Sequence, residues 1–104
     1  MSTILIIDDE EKIRTLLSRI LSMEGFEVFQ ASDLSNASKR LNQTPVDVVL
    51  CDVKIPDGSG VEFVKKIKTI QNSAEIILLT AFGNIPDGVL AIKNGAFDYI
   101  TKGG

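Results

Sequence analysis

The feature that most restricts what this chain can become is an apolar run, too short for a helix, that stops on a carboxylate. Val48 Val49 Leu50 Cys51 ends at Asp52, and beyond it Pro56, Asp57, Gly58, Ser59 and Gly60 are turn formers. A β-branched run of this length without alternation is what a strand buried on both faces requires. Asp52 therefore falls where a buried strand gives way to a surface loop. Taken alone, such a residue reads either as a reactive or metal-binding acid or as a plain turn cap, and the turn cap is the commoner case.

The same grammar recurs along the chain. Thr3 Ile4 Leu5 Ile6 Ile7 ends on Asp8 Asp9 Glu10 Glu11, Ile76 Ile77 Leu78 Leu79 ends on Thr80 Ala81, and Tyr99 Ile100 Thr101 ends on Lys102. Glu27 to Ala31 reads as a further short strand. Between the runs, apolar residues recur at helical spacing. Ile13, Leu16, Leu17, Ile20 and Leu21 form one such set, closed by Gly25. Leu34 to Leu41 is a weaker amphipathic stretch with Ala37 and Leu41 inward. Val61, Phe63, Val64, Ile67 and Ile70 form a third set, with Lys65, Lys66 and Lys68 on its wet face. A last helix covers residues 85–94, with Asn84 as N-cap, Pro86 in its first turn and Gly95 as its stop.

Strands alternating with helices of about ten residues imply a parallel sheet covered by helices on both faces. Ligands bind at the carboxyl ends of the strands in such sheets. The acids, the hydroxyl and the ammonium that terminate the runs are thus expected on one edge.

Composition acts here by exclusion. A chain of 104 residues has room for one domain with a single core. Its net charge of -3 provides no basic footprint, so direct nucleic-acid binding is not expected. No stretch of about 18 apolar residues is present, so no membrane span is expected. Acids follow the first strand at once, which is not the pattern of a signal peptide. The single cysteine, Cys51, lies in a buried run and cannot form an internal disulfide, which points to a core thiol in a reducing cytoplasm.

Two adjacent acids on one loop, Asp8 and Asp9, with Asp52 on a neighbouring strand, make a site for a hard cation. Mg2+ takes oxygen ligands, commonly one or two carboxylates with waters and phosphate oxygens. Without a cation the crowded carboxylates repel, so divalent metal should stabilise the fold. The acidic run also suits the first turn of a helix, with Glu10 and Glu11 serving the helix dipole. A lysine and a threonine beside a metal-bound carboxylate point to phosphoryl chemistry. Lys102 would neutralise one phosphoryl oxygen, Thr80 would donate to another, and Asp52 as nucleophile would give an acyl phosphate.

The ordered set Asp8 Asp9, then Asp52 with Pro56 and Gly60 after it, then Thr80 Ala81, then Lys102, resembles the receiver domains of bacterial two-component response regulators. The resemblance runs over essentially the whole chain. The LLTAFG and GAFDYITK stretches are most similar to receivers of nitrogen-regulation-type activators. The resemblance implies a three-layer flavodoxin-like (CheY-like) fold, a five-stranded parallel sheet of order 2-1-3-4-5. It also implies that Asp52 is the phosphoacceptor for a sensor histidine kinase, with Mg2+ held by Asp9 directly, by Asp8 through water and by the backbone carbonyl of Lys54. Thr80 and Lys102 would hold the phosphoryl group, and Thr80 and Tyr99 would be the switch pair that alters the surface read by an output domain outside this chain. Activity beyond self-phosphorylation and self-dephosphorylation is not expected.

Gly103 stands where the family usually has a proline, and no helix follows the fifth strand. A helix burying about four large side chains contributes roughly 6 to 12 kcal/mol. The expectation is therefore a receiver domain over 1–104 that is truncated after the fifth strand, or one that covers the open sheet face as a homodimer. Other readings of the same residues are an engineered or truncated receiver fragment that self-associates without signalling, a haloacid-dehalogenase-like phosphatase and a flavodoxin-like binding module. Lys54 stands where the phosphatase would carry a second Asp, and no Gly-rich loop follows the first strand to cradle a nucleotide or flavin phosphate.

Overall fold

A computed structural model describes residues 2–81 and 85–101. Its strands and helices are β1 (Thr3–Ile7), α1 (Glu11–Met23), β2 (Glu27–Ala31), α2 (Leu34–Gln43), β3 (Val48–Asp52), β4 (Lys54–Ile55), β5 (Gly58–Ser59), α3 (Gly60–Ile70), β6 (Glu75–Thr80), α4 (Ile85–Asn94) and β7 (Asp98–Thr101). The five long strands form one parallel sheet in the order β2-β1-β3-β6-β7, and β4 pairs β5 antiparallel in a separate two-stranded ladder. Counting only the long strands, this is the expected order 2-1-3-4-5. With four helices among the described residues, it is the flavodoxin-like architecture without a fifth helix.

Hydrophobic runs become strands because every residue of β1 is buried, as a central strand between two neighbours and two faces demands. On one face, Leu5, Ile7, Val49, Cys51, Ile76 and Leu78 project into a single core with Leu34, Ala37 and Leu41 of α2, Phe63, Val64 and Ile67 of α3 and Ala91 of α4. Helices α2, α3 and α4 lie side by side over this face. Side chains alternate along a strand, so Ile4, Ile6, Val48, Leu50, Ile77, Leu79 and Ile100 belong to the other face. There α1 packs on β1 and β2. None of its residues is buried, and Leu16 and Met23 are 54% and 81% exposed. Among the described residues no helix is long and apolar enough to cross a membrane.

Helix ends follow the sequence closely. Gly25 (φ 95°) and Gly95 (φ 112°) adopt the left-handed conformation just past α1 and α4, where a side chain would be strained. Asn84, expected as the cap of α4, lies outside the described residues. Three details differ from expectation. β6 extends through Thr80, β7 begins at Asp98, one residue ahead of the apolar run at Tyr99, and Lys68 is not a simple solvated lysine. Its Nζ donates to the carbonyls of Asn72 (3.2 Å) and Ala74 (2.7 Å), which lie in the loop between α3 and β6, outside the hydrogen-bond ladders of helix and strand.

The chain leaves β1 toward β2 and then returns across it to β3. That reversal opens a crevice between β1 and β3, the usual ligand position in such sheets. The residues that follow these two strands define what the crevice can hold.

Candidate functional site

Register brings the acids together. Ile7 pairs with Cys51, so Asp8 and Asp52 emerge side by side at the carboxyl edge of β1 and β3. One carboxylate oxygen from each of Asp8, Asp9 and Asp52 lies within 4.8 Å of the others. Asp8 is buried at 2% exposure, Asp52 is half-buried and Asp9 is exposed, so the cluster opens from the sheet edge outward. Three oxygen donors of like charge at this spacing form a hard donor set that fits Mg2+. At such distances their mutual repulsion is substantial unless a cation shares the site.

The backbone around each acid is pinned. Asp8 donates its amide to the Ala31 carbonyl (3.1 Å), prolonging the ladder with β2. Its Oδ1 accepts from the Glu10 amide (2.9 Å), and its carbonyl accepts from Arg14 Nη1 (2.8 Å). Glu10 occupies the N-cap position of α1 without a side-chain cap bond, and Glu11 is the acid of the first turn. Asp52 Oδ1 accepts from the Lys54 amide (3.3 Å), and the Val53 amide donates to Leu79 (3.1 Å). Lys54 is exposed, and its backbone is held by pairing with Ser59 in the short ladder.

Behind Asp52 the packing is tight. The Cys51 thiol donates to the Asp52 carbonyl at 3.2 Å. Burial pushes this thiol far above its usual range, with the negative charges of Asp52 and Asp8 adding to the effect, so it is an inert core group. Gly60 opens α3 directly against the Asp52 carbonyl, and any Cβ there would collide with that backbone oxygen. A side chain at position 60 would have to displace either the helix or the acid.

Thr80 ends β6, 4% exposed, in register with Thr101 of β7. Cys51, Leu78 and Tyr99 share one row of the sheet, so Tyr99 faces the α2–α4 side. Its ring lies against Gly88 of α4, and its hydroxyl is buried with no hydrogen-bond partner among the described residues. Asp52, Leu79 and Ile100 share the neighbouring row and the opposite face. Lys102, Gly103 and Gly104 lie outside the described residues.

Two site-shaping residues were not legible as such. Asp57 reads as turn chemistry, yet its carboxylate accepts from the amides of Leu34 (2.9 Å) and Ser35 (3.0 Å) at the start of α2. These amide bonds, the Leu34 one first, hold its carboxyl below the usual range. Arg14 sits half-buried within a helical pattern and carries no signal that it braces the Asp8 carbonyl. In both cases the partner is remote or on another element, and no local spacing reports it.

Known proteins place this arrangement. Residues 4–104 match the family described as the response regulator receiver domain. The phosphate regulon transcriptional regulatory protein PhoB of Escherichia coli K12 is 37% identical over 101 residues, covering 95% of this chain and 44% of PhoB. The chain thus spans less than half the length of that relative. Among solved structures, a Burkholderia pseudomallei response regulator with a phosphorylated aspartic acid, calcium ion and citrate superposes with a TM-score of 0.95 at 29% identity, over 100% of this chain and 61% of that one. The beryllofluoride-activated NtrC4 receiver domain dimer superposes with a TM-score of 0.93 at 36% identity, over 100% and 86%. Relatives thus include activators of the nitrogen-regulation type, as the sequence resemblance implied. A match that begins inside β1 and runs to the last residue takes in every acid of the crevice, and this chain belongs to the response regulator receiver domain family.

Proposed function

We propose that residues 1–104 act as one phosphoacceptor switch of two-component signal transduction. A carboxylate oxygen of Asp52 attacks the phosphorus of a phosphohistidine on a sensor kinase, the P–N bond breaks, and an acyl phosphate forms on Asp52. A Mg2+ ion held by Asp8, Asp9, Asp52 and the Lys54 carbonyl would supply positive charge beside the incoming phosphoryl oxygens. Thr80 donates its hydroxyl to one of those oxygens, and Lys102 neutralises another. The observation that carries this reading is the convergence of three carboxylate oxygens within 4.8 Å at the crevice between β1 and β3. The neighbour with a phosphorylated aspartic acid and a calcium ion supports both parts of it.

Receiver domains are signalling domains and not classical enzymes. The output is therefore a population shift. Phosphorylation favours the arrangement in which the Thr80 hydroxyl moves toward the phosphoryl group and Tyr99 is turned inward, altering the surface of α4 and β7 that an output domain reads. The kinase, the output domain, the absence of nucleic-acid contact and residence in the reducing cytoplasm belong to the same proposal. Incubation with acetyl phosphate and Mg2+ is expected to add one phosphoryl group by intact mass, and Asp52→Asn to abolish it. An unmodified mass from a folded sample would overturn the reading.

A specific observation favours a homodimer as well. The face bearing Val48, Leu50, Ile77, Leu79 and Ile100 remains half-exposed, and Ile100 is 42% accessible. The NtrC4 neighbour is itself a dimer. Sedimentation is expected to show dimerisation that Ile100→Glu weakens by at least tenfold, and a stable monomer at high concentration would refute it.

A further inference from the structure

Beside the backbone that carries Asp8, between the end of β2 and one flank of α2, lies a cavity of about 370 Å3 with the opposite electrostatic character. Three cationic side chains line it, Arg14, Lys39 and Arg40, together with the donors Ser32, Asn36 and Gln43, and no acid is among the lining residues. The chain as a whole carries a net charge of -3, so this concentration of positive charge runs against the background. Among the described residues none of the three cations is ion-paired with a carboxylate. Asp33, the nearest acid in sequence, accepts from the Asn36 amide (2.7 Å) and the Asn36 side chain (3.2 Å), and so caps α2.

Two of the cations are held in place before any ligand arrives. Arg14 donates from Nε to Gln30 Oε1 (3.1 Å) and from Nη1 to the Asp8 carbonyl (2.8 Å), which fixes the plane of its guanidinium. Arg40 lies over the Phe29 ring, 4.4 Å from its centroid. Stacking spares the guanidinium edge for hydrogen bonding while the ring face holds its plane. Preorganised donors lose less freedom when they bind, which raises the affinity of a matching anion.

We propose that this cavity is a binding site for a small phosphate-bearing anion. Guanidinium forks match phosphate oxygens in pairs, and a lysine adds a point charge at the rim. Three cations with hydroxyl and amide donors offer more bonds than a single carboxylate can accept, whereas a phosphate monoester or a diphosphate can use them. The volume lies at the small end of the range for organic ligands and suits a compact polar molecule. The site stands whether or not Asp52 accepts a phosphoryl group.

The test is a titration of the 15N-labelled chain with sodium pyrophosphate in Mg2+-free buffer, with ionic strength held constant by NaCl. Without a divalent ion the acid cluster repels the probe, so the two sites are read separately. Saturable amide shifts centred on Gln30, Ser32, Asn36 and Lys39 are expected. Lys39→Ala, at an exposed position that leaves the fold intact, should weaken binding by about tenfold, and Arg40→Ala by at least as much. Lys66→Ala on α3 should leave the affinity unchanged. Shifts spread equally over Lys65 and Lys66, an unaltered affinity in folded Lys39→Ala, or a tricarboxylate binding as tightly at the same ionic strength would each overturn the proposal.

Discussion

The two faces of this sheet are built from the same kind of strand residue and end in different states. Toward α2, α3 and α4, the side chains of Leu5, Val49, Cys51, Ile76 and Leu78 are sealed from solvent. Toward α1, Ile4 and Ile6 of β1 are covered, but the equally apolar Val48, Leu50, Ile77 and Leu79 remain half-exposed, and Leu16 and Ile20 of α1 are themselves largely accessible. The difference lies in the number of helices laid across each face and not in the strands. It teaches that burial is a property of the assembled layers: a leucine contributes its full transfer free energy only where something packs on it. The crevice stands where the faces meet, with Asp52 on the same open face as Leu50 and with Thr80 and Tyr99 on the same closed face as Leu78.

Truncation on the closed side is where the largest effect is expected. Ile67→Ala should lower stability by about 3 to 4 kcal/mol, because a fully buried side chain leaves a cavity that tight packing cannot close. Urea denaturation measures it. At the crevice, Mg2+ at a hundredfold excess over its dissociation constant should raise stability by about 2.7 kcal/mol. Asp9→Asn should reduce that gain, read by thermal denaturation with and without the ion. On the open side Leu50→Ala should cost only about 1 to 2 kcal/mol, since water already reaches the position. Equal losses at Ile67 and Leu50 would break the comparison.

Smaller effects sharpen it. Tyr99→Phe removes a buried hydroxyl that has no partner among the described residues, and should leave stability unchanged or raise it by about 1 kcal/mol. A clear loss would mean that the hydroxyl is bonded. The Asp57 carboxyl, held low by the α2 amides, stabilises the fold as the charged form. Its contribution is therefore present above its ordinary value of 3.8 and is lost as pH falls below that value through the lower folded one. Asp57→Asn should flatten this part of an acid-denaturation curve while leaving the neutral-to-alkaline part parallel to the parent.

Local chemistry by itself determined the order of the five long strands and the helices between them, the parallel class of sheet and the polar groups closing four of those strands, but not the short β4–β5 ladder in residues that read as turn. Those properties depend on periodicity and turn residues within a few positions of one another. Val48–Asp52 and Thr3–Ile7 were legible for that reason, and the family resemblance rested on the groups at their ends. Only the tertiary structure decided that α1 would lie half-exposed despite its regular apolar spacing, because amphipathicity states which side of a helix seeks cover and not whether cover is there. It also decided that Asp57 caps α2, that Arg14 braces Asp8, and that Gln71 ties the loop before β3 by accepting from the Val46 amide (2.8 Å) and donating to the carbonyls of Leu41 (2.7 Å) and Thr44 (2.6 Å). Each of these is a polar side chain satisfied by backbone from another element. A sequence names the donors and acceptors, but the partner of each is set by which strands and helices become neighbours, and that follows from burying the core as a whole.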